Sequence, residues 1–240
     1  MTEPNAITKA AQESGEPELR KIGVGPWSEE HPGELRPDDP VSSVYDERFS
    51  GELLDEGDTR NVLDRYRYWA VDAIRDDLDA RGRNRFQVAV ENWTHDFNIG
   101  SIVRTANAFA AASVHIVGPH KWNRKGALMT ELYQHVEHHP SIESLVASVR
   151  ADDAAHPGEE PTRIIAIDNV PGSVPIETYD FAEKCLMIFG AEGPGLSRKA
   201  LELADDVVYI SQFGSVRSIN AGAAAAVSMH AWVAQHAHID

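Results

Sequence analysis

The chain has 240 residues, 42% hydrophobic and 25% charged, enough for one sizeable domain with an extension. Its net charge of −16 argues on its face against nucleic acid as a partner, and its single cysteine, Cys185, excludes an internal disulfide and a cysteine-held metal cluster. No apolar run approaches the ~20 residues that span a bilayer, and the first residues lack an apolar signal region, so a cytoplasmic protein with no membrane partner is expected.

Residues 1–58 are rich in Pro, Gly, Glu and Asp, and a stretch such as HPGELRPDDP reads as loop or disorder. Residues 1–84 carry 11 Lys/Arg against 20 Asp/Glu, more than half of the negative excess in about a third of the length. From Asp58 to Ala80 the pattern changes. Val62, Leu63, Tyr66, Trp69, Ala70, Ala73, Ile74 and Leu78 recur at helical spacing, with Gly82 just beyond. This divides the chain into an acidic, irregular extension (1–58), an amphipathic helix packing on the domain (59–82) and a main domain (83–240). In that domain, short apolar runs at 86–92, 113–118, 163–168, 185–190 and 206–211 read as strands. Helix candidates at 99–111, 141–151, 197–204 and 219–237 alternate with them. Such alternation predicts an α/β fold with a mainly parallel sheet, whose ligand loops follow the carboxyl ends of strands.

Three loops in those places are unusual. In the first, Asn98-Ile-Gly-Ser-Ile-Val-Arg104 places a permanent cation in a small, apolar helix. Alone, Arg104 reads as a surface arginine of an amphipathic helix. The second, Phe189-Gly-Ala-Glu-Gly-Pro-Gly-Leu-Ser197, follows an apolar strand and opens a helix with Ser197 as N-cap. Its G-x-x-G-x-G spacing lacks the Gly-Lys-Ser/Thr of a nucleotide-phosphate loop, which disfavours a nucleotide-binding regulator. Glu192 within it reads, alone, as a solvated turn residue. The third runs from Ile210 through Ser218 and Asn220 into an alanine-rich helix, where Ser218 suits a helix cap.

In this order and spacing the three loops resemble the three motifs of the SpoU (TrmH-like) branch of the SPOUT superfamily of RNA 2′-O-ribose methyltransferases. The resemblance covers roughly residues 86–238. It departs at Ser211, where the family carries proline, and at Ala110, where it carries glycine. It implies a C-terminal trefoil knot and a bent S-adenosyl-L-methionine (AdoMet) held by Ile167, Gly190, Ile210, Ser218 and Ile219. It further implies a homodimer through the C-terminal helix and methyl transfer to a ribose 2′-hydroxyl of tRNA or rRNA without metal. Arg104 is then the central catalytic residue, as proton acceptor or as stabiliser of the developing alkoxide. Asn98 then starts the helix and holds the neighbouring loops by amide hydrogen bonds, Glu192 and Asn220 orient Arg104 or close the loops around AdoMet, and Ser218 contacts AdoMet. The alternative is a non-catalytic AdoMet- or RNA-binding protein on the same fold.

An RNA partner needs local positive charge. Lys121, Arg124 and Lys125 around Trp122 offer a phosphate-and-stacking mixture, or an ordinary solvated loop. The His135–His139 stretch, HVEHH, matches no H-E-x-x-H helix pattern and reads as bystander histidines, so no metal site is expected.

Overall fold

A computed structural model describes residues 5–15, 22–93 and 98–237. The chain divides into two units, Met1–Ile74 and Arg75–Asp240.

The first unit contains the helices α1 (Ala6–Glu13), α2 (Trp27–Glu30) and α3 (Gly51–Glu56). Much of the stretch expected to be irregular is therefore ordered, by contacts that leave no periodic trace. The rings of Trp27 and Tyr68 meet edge to face at 5.6 Å, as do Phe49 and Trp69 at 6.4 Å and Tyr66 and Trp69 at 5.5 Å. At its centre the carboxylate of Asp58 is fully buried. It accepts both Nε (2.8 Å) and Nη2 (2.7 Å) of Arg60 and the backbone N–H of Tyr68 (2.9 Å). Backbone bonds in both directions pair Asp58 with Val24. The single helix expected over 58–80 is instead a 3-10 turn at Asp64–Tyr66 followed by α4 (Val71–Ala80), which runs across the boundary of the two units. Trp69 precedes that helix and is buried among the aromatic rings of the first unit.

In the second unit seven parallel strands form one sheet in the order β3-β2-β1-β6-β4-β7-β5. They are β1 (Phe86–Glu91), β2 (Val114–Val117), β3 (Val136–His139), β4 (Arg163–Ile167), β5 (Val174–Pro175), β6 (Cys185–Phe189) and β7 (Asp206–Tyr209). The central strand β6 is buried at every residue, as its continuous apolar run requires when both faces are covered. One face carries α5 (Ile99–Ala108) and α8 (Ala221–His236), whose Ile102, Val103, Ala106, Met229 and Trp232 pack on Phe86, Val88, Met187 and Phe189. The other carries α6 (Ile142–Ala155) and α7 (Arg198–Leu203), with Leu145 and Ala200 against Ala89, Leu186 and Ile188. The α/β parallel fold is as expected. Two strands were not: β3, written VEHH, lies at the sheet edge with exposed positions, and β5 is two residues long.

Candidate active site

The loops after β4, β6 and β7 close around a cavity of about 410 Å³ at the carboxyl ends of these strands. Ile167, Gly190, Ile210, Ser218 and Ile219 all line it, so the five positions assigned to a cofactor on sequence grounds share one space. Gly190 is dictated by packing. A Cβ there would lie 2.1 Å from the carbonyl carbon of Gly195 and 2.3 Å from the Leu196 nitrogen, so only glycine lets the two limbs of the loop cross. Ser197 caps α7, accepting the N–H of Ala200 at 3.2 Å. Its own N–H is held by the buried carboxylate of Glu91 at 2.6 Å, which ties the glycine loop to the end of β1.

Asn98, Glu192 and Asn220, 122 residues apart at the extremes, meet in one cluster. Asn98 Nδ2 donates to Glu192 Oε2 at 2.7 Å, and Asn220 Nδ2 donates to Asn98 Oδ1 at 2.8 Å and to Glu192 Oε1 at 3.4 Å. Asn220, not Ser218, caps α8, its Oδ1 accepting from Ala223 N at 3.1 Å. Ser218 lies two residues too early and is an exposed residue of the cavity wall. Asn98 occupies the N-cap position of α5 without a side-chain cap, because its amide is engaged by the other two loops. Glu192 and Asn220 also line the cavity, so the cluster joins the cavity wall to the foot of α5.

Arg104 stands on the exposed stripe of α5 with Ser101, nearly two turns beyond Asn98 of the cluster. It makes no hydrogen bond or ion pair among the described residues, so the expected orientation by Glu192 or Asn220 is not formed in this structure. Its neighbours Ile102, Val103 and Ala106 are fully buried, which fixes the helix from which it projects. The basic loop lies against the start of the same helix, since a Cβ on Gly100 would be 2.8 Å from Gly126 Cα. Lys121, Arg124 and Lys125 are exposed there. Trp122 is half buried against the core, with the Arg124 guanidinium 5.9 Å above its ring.

Sequence reasoning missed Asp168. Its Oδ2 accepts Leu196 N at 3.0 Å and its Oδ1 accepts Asn169 N at 2.7 Å, so it fixes the glycine loop from the end of β4. An acidic residue directly after an apolar strand was the available signal. Also missed were Gln212 and Arg217, cavity residues on the β7 loop that stand in no recognisable pattern. The two departures from the family pattern have local explanations. Ser211 donates its N–H (3.2 Å) and its hydroxyl (2.8 Å) to Glu177, and proline would lose both bonds. Ala110 has φ of 49°, the left-handed region in which glycine is unstrained.

Residues 85–230 match the SpoU rRNA Methylase family. The tRNA (guanosine(18)-2′-O)-methyltransferase of Escherichia coli K12 is 27% identical over 154 residues, 63% of this chain and 64% of that one. An uncharacterized tRNA/rRNA methyltransferase of Mycobacterium avium is 30% identical over 144 residues, 58% of this chain and 44% of the relative. Among solved structures, the SpoU methyltransferase AviRb from Streptomyces viridochromogenes, in complex with the cofactor AdoMet, is 29% identical with a TM-score of 0.55. That match covers 64% of this chain and 58% of AviRb. The chain thus spans less than two thirds of the length of these relatives. The family match contains all three loops that meet around the cavity and the foot of α5, and the chain belongs to the SpoU rRNA methylase family.

Proposed function

We infer that the protein transfers a methyl group from AdoMet to a ribose 2′-hydroxyl of tRNA or rRNA. The observation that carries this reading is the Asn98–Glu192–Asn220 cluster, which links a ligand-sized cavity to a helix whose arginine is unpaired among the described residues. The cavity suits AdoMet in two respects. The Oε1 of Gln212, one of its lining residues, is buried without a partner among the described residues, an acceptor free for a donor such as an amine. Gly190 packs directly on Gly195, so both limbs of the loop present backbone without side chains to the cavity that they line.

AdoMet supplies an electrophilic methyl group on a sulfonium that departs as a neutral thioether. The protein's own residues then align the hydroxyl and manage its charge. Arg104 holds the adjacent phosphate through its planar fork and stabilises the oxygen as its proton passes to solvent water. Asn98 and Asn220 keep α5 and α8 in register with the Glu192 loop, so Arg104 projects at a fixed distance from the cavity. Lys121, Arg124 and Lys125 extend this cationic strip beside α5 and offset locally the net charge of −16.

Ala223, Val227, His230 and Ala234 form an exposed, mostly small and apolar stripe along α8, which supports a homodimer through that helix. The trefoil knot implied by the family resemblance belongs to the same reading. Among the described residues no helix is long and apolar enough to cross a membrane; action on tRNA or rRNA would place the protein in the cytoplasm.

The test uses tRNA and rRNA from a strain lacking the gene. Arg104→Ala should bind AdoMet within about twofold of wild type yet transfer methyl groups at least ~100-fold more slowly. Arg104→Lys should also be badly impaired, since it keeps the charge but loses the fork. An Arg104→Ala protein working at the wild-type rate would remove the residue from the mechanism. A wild-type protein that binds AdoMet and RNA but methylates neither RNA would establish the non-catalytic alternative.

A further inference from the structure

His115, Glu137 and His139 come together on the sheet face that carries α6, in a place that the reaction does not use. Register is the cause. His115 on β2 is the Cα partner of Glu137 on β3, and Val117 is the partner of His139, two residues further along the same face. Their donor atoms form a small triangle. His115 Nδ1 and His139 Nε2 are 3.0 Å apart, and Glu137 Oε2 lies 3.7 Å from each. A point equidistant from the three lies about 2.0 Å from every corner, which is the bond length of zinc to imidazole nitrogen and carboxylate oxygen.

We propose that this triangle is a site for a divalent transition ion, zinc foremost, bound by His115 Nδ1, His139 Nε2 and the Glu137 carboxylate. Two imidazoles and one carboxylate form a borderline donor set that suits zinc, cobalt or nickel over magnesium or calcium. The histidine on β2 is already oriented. Its Nε2 lies 2.9 Å from Gln87 Oε1 and 2.9 Å from Ser113 Oγ. Since Gln87 Oε1 only accepts, Nε2 carries the proton and the Nδ1 lone pair faces the triangle, the outer support that ligating histidines ordinarily have. His115 and His139 are buried while the Glu137 carboxylate is exposed, which leaves a fourth position open to water.

The site is separate from the reaction centre. In the sheet, β1 and β6 stand between β2 and β4, whose loop lines the cavity. The ion would join the edge strand β3 to β2 and act on stability. Its removal should therefore leave AdoMet affinity unchanged.

The test takes the full chain after treatment with a chelator and titrates zinc against a chromophoric competitor, with cobalt as a spectroscopic probe. The expected result is one tight zinc per chain and a cobalt visible band of low coordination number. His139→Ala should weaken binding by about 100-fold and abolish the band, and the exposed Glu137→Gln, which tests the site even if His139→Ala misfolds, by about 10-fold. His138→Ala, an adjacent histidine outside the triangle, should bind as wild type does. Zinc at about 100 times its Kd should raise the wild-type thermal midpoint by about 5 °C and that of Glu137→Gln far less. No binding at ~100 µM zinc, or binding that Glu137→Gln leaves unchanged, would overturn the proposal.

Discussion

Replacing Gly190 by alanine tests whether the wall of the cavity is set by backbone packing. The new Cβ would lie 2.1 Å from Gly195 C, 2.3 Å from Leu196 N and 2.4 Å from Gly195 O. All three are backbone atoms, so no side chain can swing away. Relief requires the Gly195–Leu196 limb to retreat by about 1 Å, in a segment also held by Asp168 Oδ2 on Leu196 N and by Glu91 Oε2 on Ser197 N. Overpacking of this kind costs about 3 kcal/mol, the upper end of the usual range, because the clash is rigid on both sides. For a chain of this size that lowers the thermal midpoint by roughly 6–12 °C. The same retreat moves the loop that bounds the cavity, and AdoMet affinity should fall by at least ~10-fold. Thermal melts by circular dichroism and calorimetric titration with AdoMet read the two effects separately. Gly193→Ala is the control. It has φ of 98° but open space around the added carbon, so it should show only a left-handed backbone cost of about 1–2 kcal/mol. A Gly190→Ala protein melting within about 2 °C of wild type would refute the packing argument.

Two more outcomes follow from local geometry. Ala110→Gly removes the strain of a left-handed alanine, less the extra freedom glycine adds to the unfolded chain. A net gain of about 0.5–1 kcal/mol is expected, measured by urea unfolding, and a loss would show that the alanine side chain contributes packing. Burial pushes the Asp58 carboxyl up, but the Arg60 guanidinium and the N–H groups of Tyr68 and Arg60 outweigh it and hold the group below the usual carboxylate range. A depressed carboxylate stabilises the fold fully above its unfolded value near 3.9 and loses that contribution as pH falls through the folded value. Asp58→Asn should therefore cost about 3–5 kcal/mol at pH 7, by removing the carboxylate charge that faces the buried Arg60 guanidinium. The gap from wild type should narrow below about pH 4, and a constant gap down to pH 2 would contradict the ion-pair account.

The parts legible from sequence were those whose signal is local. The apolar runs of β1, β2, β4, β6 and β7 announced a parallel sheet because a strand covered on both faces is apolar throughout. Ser197 announced the start of α7 because a cap acts within three residues. The three loops were recognisable because their residues are spaced along the chain in a family pattern. What lay hidden depends on contacts between distant residues. The edge strand β3 carries polar residues and has no strand signature until it pairs with β2. The first unit is assembled from aromatic edges and a buried carboxylate, neither of which recurs at a fixed interval. HVEHH by itself showed only neighbouring histidines. The third corner, His115, comes from another strand, and only the parallel register of β2 and β3 sets its nitrogen 3.0 Å from His139. In the same way the sequence supplied Asn98, Glu192 and Asn220 as three separate polar residues. Folding the sheet brought their loops to one end, where each amide or carboxylate satisfies another and fixes the helix that carries Arg104.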